Sequence, residues 1–140
     1  MRSLITKMDF AEDPLVIPDY QRGRSWTDDQ CSKFIGFIAE GGEAPPLWVQ
    51  RWPDSSMRPD ELVDGLQRVT AVRRFLANEV PMELTDGTRM YLRDFSAVDQ
   101  EKLVRTTSGP NLVLRYVRYE NRVDVLRFYL RLNRGGTPHS

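Results

Sequence analysis

The run Asp64-Gly65-Leu66-Gln67-Arg68 places a carboxylate, an amide and a guanidinium within five residues of one another. Before it stands a short apolar run, Leu62-Val63, with strand character. After it, Val69, Val72, Phe75 and Leu76 recur at helical spacing. Strand, glycine turn and helix start together form a natural anion site. The first N–H groups of a helix have no acceptor within the helix, and its dipole favours negative charge there. Gly65 lacks a Cβ, so a ligand can approach the backbone. Arg68 offers a planar fork of donors suited to phosphate oxygens. Asp64 could hold a metal ion or orient a water, and Gln67 could orient a water or a ligand oxygen. The competing reading is a plain βα turn, with Asp64 capping the helix and Arg68 solvated.

A second polar segment, Ile17-Pro18-Asp19-Tyr20-Gln21-Arg22, lies upstream and is followed by Trp26. Tyr20 can stack on a base and Gln21 can hydrogen-bond to a base edge, while Arg22 can reach phosphate. Alternatively Tyr20 and Trp26 pack under the next helix and Arg22 pairs with Asp64. Near the C-terminus, Arg127 and Arg131 are four apart on a helical pattern and so share a face. That face could track a DNA backbone or stand in solvent. The helix gives way to Asn133, Gly135 and Gly136, a polar segment readable as a simple helix stop.

The I-P-x-Y-Q-R-like segment, the strand-D-G-x-Q-R-helix turn and Leu132-Asn133-Arg134-Gly135-Gly136-Thr137 occur in one order. In this the chain resembles, from about Val16 onward, the N-terminal domain family of GmrSD-type modification-dependent restriction enzymes, in the ParB/sulfiredoxin-like superfamily. Leu66 stands where that family usually has a first Gln, which puts any role of the missing amide in doubt. The resemblance implies an α+β fold of ParB/sulfiredoxin-like type, a small mixed sheet with helices packed on it. It implies binding, and hydrolysis, of a nucleoside triphosphate at the turn with a divalent metal, Mg²⁺. Asp64, Gln67 and Arg68 would then be catalytic, with Asp64 on the metal. Gly65, Arg68, Arg22 and Asn133 would bind phosphate. Tyr20, Gln21, Arg22, Arg127 and Arg131 would meet DNA, on or near which the protein would act in restriction or phage-related conflict. Two alternatives stand beside this: a non-catalytic ParB-like module binding DNA or protein, and a DNA nickase using the Asp64 turn. Relatives usually continue past the equivalent of Ser140, often into a nuclease domain. The expectation is therefore a stand-alone or truncated version served by a protein partner with a nuclease or effector domain.

Composition bounds these readings. A chain of 140 residues fits one domain with a real core. There is no membrane-length apolar run and no signal-peptide pattern. Cys31 is the one cysteine and His139 the one histidine, so neither an internal disulfide nor a structural zinc site is expected, and a cytoplasmic setting is the simplest. Net charge is zero, which argues against binding nucleic acid by bulk charge. Yet 17 of the 20 basic residues are Arg, the better partner for phosphate, although GC-rich coding would produce the same bias.

The elements that must position these residues follow from local pattern. Residues 1–14 read as a partly ordered lead-in to one domain over 15–140. Leu15-Val16-Ile17 predicts a strand ending at Pro18. Thr27-Asp28-Asp29-Gln30 predicts a capping box opening a helix that stops at Gly41-Gly42. Leu47 to Trp52 and Glu61 to Val63 predict strands around a polar loop, with Trp48 and Trp52 on one face. A helix to about Asn78 follows the Asp64 turn. Asp86-Gly87 predicts a hairpin. Ser96 caps a short helix, Asn111 to Tyr119 alternates as a strand, and a helix runs from Asn121 to about Leu132. Its core side would carry Leu126, Tyr129, Leu130 and Val123 or Val125.

Overall fold

The computed structural model describes residues 3–5, 15–18, 25–107 and 112–134. Among these residues the fold is α+β, with a mixed sheet and four helices. Its contacts divide the chain into two compact units: Met1–Arg24, Pro46–Leu66 and Leu114–Ser140 form one, and Ser25–Pro45 with Gln67–Val113 the other.

The first unit carries the sheet. Strands β1 (Ser3–Ile5), β2 (Leu15–Ile17), β3 (Leu47–Gln50), β4 (Glu61–Asp64) and β7 (Leu114–Val117) lie in the order β1-β2-β4-β3-β7. The β1–β2 and β3–β4 pairs are antiparallel; β2–β4 and β3–β7 are parallel. The stretch read as a lead-in thus contains a strand that extends the sheet. Strands β3 and β4 pair antiparallel around the expected polar loop, which contains a 3₁₀ turn over Asp54–Ser56 and Met57 in the left-handed region. Helix α4 (Arg122–Arg134) belongs to this unit. Asn121 caps it: the Asn121 Oδ1 accepts from the Asp124 N–H at 3.0 Å.

The core of this unit forms where α4 meets the sheet. Trp52, Val63 and Val125 are buried, and Trp48, Tyr119, Phe128, Tyr129 and Leu132 pack against them. Trp48 and Trp52 do share one cluster, although β3 ends at Gln50 and Trp52 lies beyond it. Of the expected core face of α4, Val125 rather than Val123 is buried and Tyr129 packs with it; Leu130 is more than half exposed, and Phe128 takes its inward place. The helix also runs on through Asn133 and Arg134, so Asn133 is not in a turn after it. Its Nδ2 donates to the Tyr129 carbonyl oxygen one turn back, at 2.7 Å, so its side chain bonds within the helix.

The second unit is mainly helical: α1 (Asp28–Ala39), α2 (Leu66–Leu76, entered from the first unit) and α3 (Ala97–Thr107), with the hairpin β5 (Met82–Glu83) and β6 (Arg89–Met90). The predicted capping box is present: Thr27 Oγ1 accepts from the Gln30 N–H and Gln30 Oε1 from the Thr27 N–H. Helix α1 lies close on β5, and a Cβ on Gly36 would overlap the Glu83 carbonyl oxygen. Ion pairs fasten this unit: Arg74 to Asp28 at 2.8 Å, and Arg89 to both Asp29 and Glu83. Cys31 is buried beside Arg74; burial pushes its thiol pKa up, partly opposed by the guanidinium. Among the described residues no helix is long and apolar enough to cross a membrane.

Candidate functional site

Strand β4 is buried along its whole length and delivers Asp64 at its C-terminal end, 8% exposed. Gly65 follows with φ 112°, a conformation that side chains rarely adopt. The chain can therefore turn at once, and α2 begins at Leu66. Glycine at 65 is thus required by the backbone, whatever approaches it. The strand-turn-helix expected from the sequence is present, with Asp64 still in the strand and the helix ending at Leu76 rather than near Asn78.

The direction of Asp64 comes from an irregularity that the sequence did not reveal. In the β3–β4 pair, Trp48 faces Asp64 while the next residue, Val49, faces Leu62. One extra β4 residue, Val63, is accommodated between them. Such a bulge rotates the strand and re-aims the side chains beside it. It sets Asp64 across from Trp48, the residue that packs edge-on against Phe128 of α4 with ring centroids 5.2 Å apart. The Asp64 charge is felt on the same helix: the Tyr129 phenol is pushed above the usual tyrosine pKa, mainly by burial and further by Asp64. Tyr129 stays protonated at neutral pH beside this carboxylate. The sequence reading had placed Tyr129 in the core only; an aromatic on the inner stripe of an amphipathic helix gives no other signal. Asn133, one turn further along α4, is tied to the Tyr129 carbonyl oxygen.

At the opposite end of β4, Glu61 is fully buried and heavily bonded. Arg122 donates to its two oxygens at 2.6 and 2.8 Å, Arg58 at 3.2 Å and the Trp52 indole N–H at 2.8 Å. Both guanidiniums lie against the Trp52 ring. A buried carboxylate persists only when paired and hydrogen-bonded. This group joins the start of α4 to β4, the strand that carries Asp64. Glu61 and Arg122 are 61 residues apart, so no spacing rule could have paired them.

Gln67 and Arg68 open the second unit. The Gln67 Oε1 accepts from the Trp26 N–H at 2.8 Å, which ties the first turn of α2 to the residue just before the α1 cap. Trp26 itself packs edge-on against Phe34 of α1, as the packing alternative foresaw. Arg68 is 6% exposed, so the solvated arginine of the plain-turn reading is not what the fold contains. Arg127 and Arg131 sit on α4 as expected. Arg127 pairs with Asp124 at 3.8 Å, and Arg131 donates to the Tyr119 hydroxyl at 3.2 Å. Tyr20, Gln21 and Arg22 lie outside the described residues, as do Gly135 to Thr137.

Among the described residues no three His, Cys, Asp or Glu side chains converge as a metal-binding group. Asp64 is the one carboxylate of the turn. Mg²⁺ is commonly held by one or two carboxylates, with waters and substrate phosphate oxygens completing its octahedron. One carboxylate beside a helix start fits a metal that arrives with a phosphate ligand, and does not fit a closed structural site.

Comparison with known families places these features in context. The family model described as GmrSD restriction endonuclease, N-terminal domain, matches residues 3–140. No curated protein and no solved structure matches the chain.

Proposed function

The chain belongs to the GmrSD restriction endonuclease N-terminal domain family, which implies a restriction-enzyme-related role, and from that premise we propose that its Asp64 turn binds and hydrolyses a nucleoside triphosphate on or near DNA. The observation that carries this reading is the local geometry: a buried strand ending in Asp64, Gly65 at φ 112°, and a helix starting at the next residue. Backbone N–H groups at the start of α2 would cradle phosphate oxygens. Arg68 would clamp them with its fork of donors. Asp64 would hold a divalent metal, Mg²⁺, which would neutralise phosphate charge when bound. Phosphoryl transfer asks mainly for positioning and charge stabilisation, so a small set of groups suffices. Tyr129, protonated beside Asp64, would help orient that carboxylate. Asn133 would act from the same helix by fixing the end of α4. Tyr20 and Gln21 would contact bases and Arg22 phosphate. A protein partner would supply any nuclease or effector activity.

A second reading has its own support. Gln67 spends its carbonyl oxygen on the Trp26 backbone, and Arg68 is buried. A turn whose polar groups serve the fold suits a non-catalytic ParB-like module that binds DNA or protein.

One experiment separates the two. Thermal shift is measured with each of the four common nucleoside triphosphates, with and without Mg²⁺, followed by a phosphate-release assay. Supercoiled-plasmid nicking is run alongside to test direct cleavage through the turn. A ligand that binds the native state alone raises its stability by mass action, about 2.7 kcal/mol at a hundredfold excess over Kd. Arg68→Ala should abolish that shift, and Arg68→Lys should restore it poorly. Stabilisation without phosphate release would favour the binding module. No shift with any nucleotide would remove the phosphate reading.

A further inference from the structure

Among the described side chains, the arginines of the first unit fall into two sets. Arg51, Arg58, Arg122 and Arg127 each meet a carboxylate within 4 Å: Asp60, Glu61, Glu61 and Asp124. Arg115, Arg118 and Arg131 are exposed and have no carboxylate partner among the described residues. Arg115 and Arg131 are linked through the touching Trp48 and Phe128 rings, and Arg118 is the chain neighbour of Tyr119, which Arg131 contacts. Arg115 is on β7, which among the described residues pairs only with β3 and so forms an edge of the sheet. Arg118 follows β7 directly, and Arg131 is on α4.

Aromatic rings brace two of the three. The Arg115 guanidinium carbon lies 5.9 Å from the centre of the Trp48 ring, and that of Arg131 lies 5.8 Å from the centre of Phe128. Trp48 and Phe128 touch each other edge to face. Arg131 also donates to the Tyr119 hydroxyl. Tyr119 in turn is held by the fully buried Gln50, whose amide donates to the Tyr119 carbonyl oxygen at 2.6 Å and accepts from its N–H at 3.0 Å. A guanidinium over a ring keeps its in-plane donors directed outward while the ring limits its motion. Trp48 and Phe128 are half-buried in the core, which suits them to support cations rather than to stack exposed bases. Residues 114–134 contain six arginines against Glu120 and Asp124, in a chain of zero net charge. Asp124 is already engaged by Arg127 and Asn121.

We propose that Arg115, Arg118 and Arg131 form the surface on which this protein holds the phosphate backbone of duplex DNA, independent of base sequence. The proposal rests on the DNA part of the reading above and places that contact at the β7 edge and α4, apart from the nucleotide turn. Arg127, named from the sequence, is left out of this set because Asp124 lies 3.8 Å from it and offsets part of its charge.

The test is binding of a fluorescent random-sequence duplex over a series of salt concentrations. Each phosphate contact contributes about 0.9 to the slope of log K against log salt. Arg115→Gln with Arg131→Gln should lower the slope by about two contacts, and Arg118→Gln alone by about one. Arg115→Lys with Arg131→Lys should restore most of it, since counterion release needs only charge. Arg118 is exposed and makes no side-chain hydrogen bond, ion pair or ring contact among the described residues, so its variant reports binding even if the double variant folds poorly. Arg105→Gln, on α3 and paired with Glu101, should leave the slope unchanged. Nucleotide thermal shifts should be the same in all these variants. Wild-type slopes in the Arg118 and double variants would overturn the proposal and leave the DNA reading standing. No duplex binding at low salt by the unaltered protein would overturn both. Arginine-dependent binding to phosphatidylserine-containing vesicles but not to duplex would replace DNA by a membrane surface and overturn it as well.

Discussion

Replacing Glu61 by Gln probes the device that joins α4 to β4. The carboxylate is fully buried and accepts two bonds from Arg122, one from Arg58 and one from the Trp52 indole. Gln offers one acceptor oxygen, and its amide N–H₂ would confront a guanidinium that can only donate. Hydrogen bonds to charged groups are worth about 1.5–3 kcal/mol each. Two from Arg122 set an upper figure of about 3–6 kcal/mol. The Arg122 and Arg58 side chains are 31% and 37% exposed, so both can recover hydration when released. That halves the figure, and the expected loss is about 1.5–3 kcal/mol. With a urea slope of about 2 kcal/mol/M the midpoint should fall by roughly 0.75–1.5 M. Arg122→Met keeps the aliphatic stem but leaves the buried carboxylate with only Arg58 and the Trp52 indole, and should cost at least as much. The double variant should be less damaged than the sum, with a coupling of at least about 1 kcal/mol. Urea unfolding followed by far-UV circular dichroism measures all three. A Glu61→Gln loss under about 0.5 kcal/mol, or full additivity in the cycle, would refute the claim that this pair holds α4 on the sheet.

Three further outcomes are expected. Asp64→Asn should slow phosphate release at least tenfold, about 1.4 kcal/mol in barrier, while nucleotide thermal shifts partly persist; unchanged turnover would reject a catalytic Asp64. Gly65→Ala should cost about 2 kcal/mol or more because φ is 112° there, a loss read by thermal melting without ligand; a neutral substitution would mean that the turn relaxes freely. Tyr129 has its pKa raised in the folded state by burial and by Asp64, so it favours folding below the ordinary tyrosine value of about 10 and that contribution is lost as pH climbs through the folded value. Tyr129→Phe should flatten this alkaline fall in stability, and Asp64→Asn should bring the tyrosinate absorbance midpoint only part of the way down, since burial remains; an unmoved midpoint would separate the two side chains.

Much of the architecture was legible because it is written in short-range chemistry. The Thr27–Gln30 box, the Asp86-Gly87 hairpin, the Asn121 cap and the strand-glycine-helix around Asp64 each depend on residues within a few positions of one another. The family motifs are of the same kind, and they led to the family that the whole-chain match shows. What only the tertiary structure decided depends on partners far apart in the chain. The bulge opposite Trp48 sets the direction of Asp64 and depends on how two strands register, which no single strand encodes. Tyr129 became a neighbour of Asp64, and Arg122 of Glu61, because α4 docks on β4. The docking also chose which apolar residues of α4 are buried, taking Val125 and Phe128 and leaving Val123 and Leu130 in solvent. Amphipathic spacing names a stripe, but the crossing of helix and sheet selects the part of it that is covered. The same holds for charge. The sequence counted arginines, and only the fold told those neutralised by carboxylates from Arg115, Arg118 and Arg131, because ion pairing is set by distance in space and not along the chain.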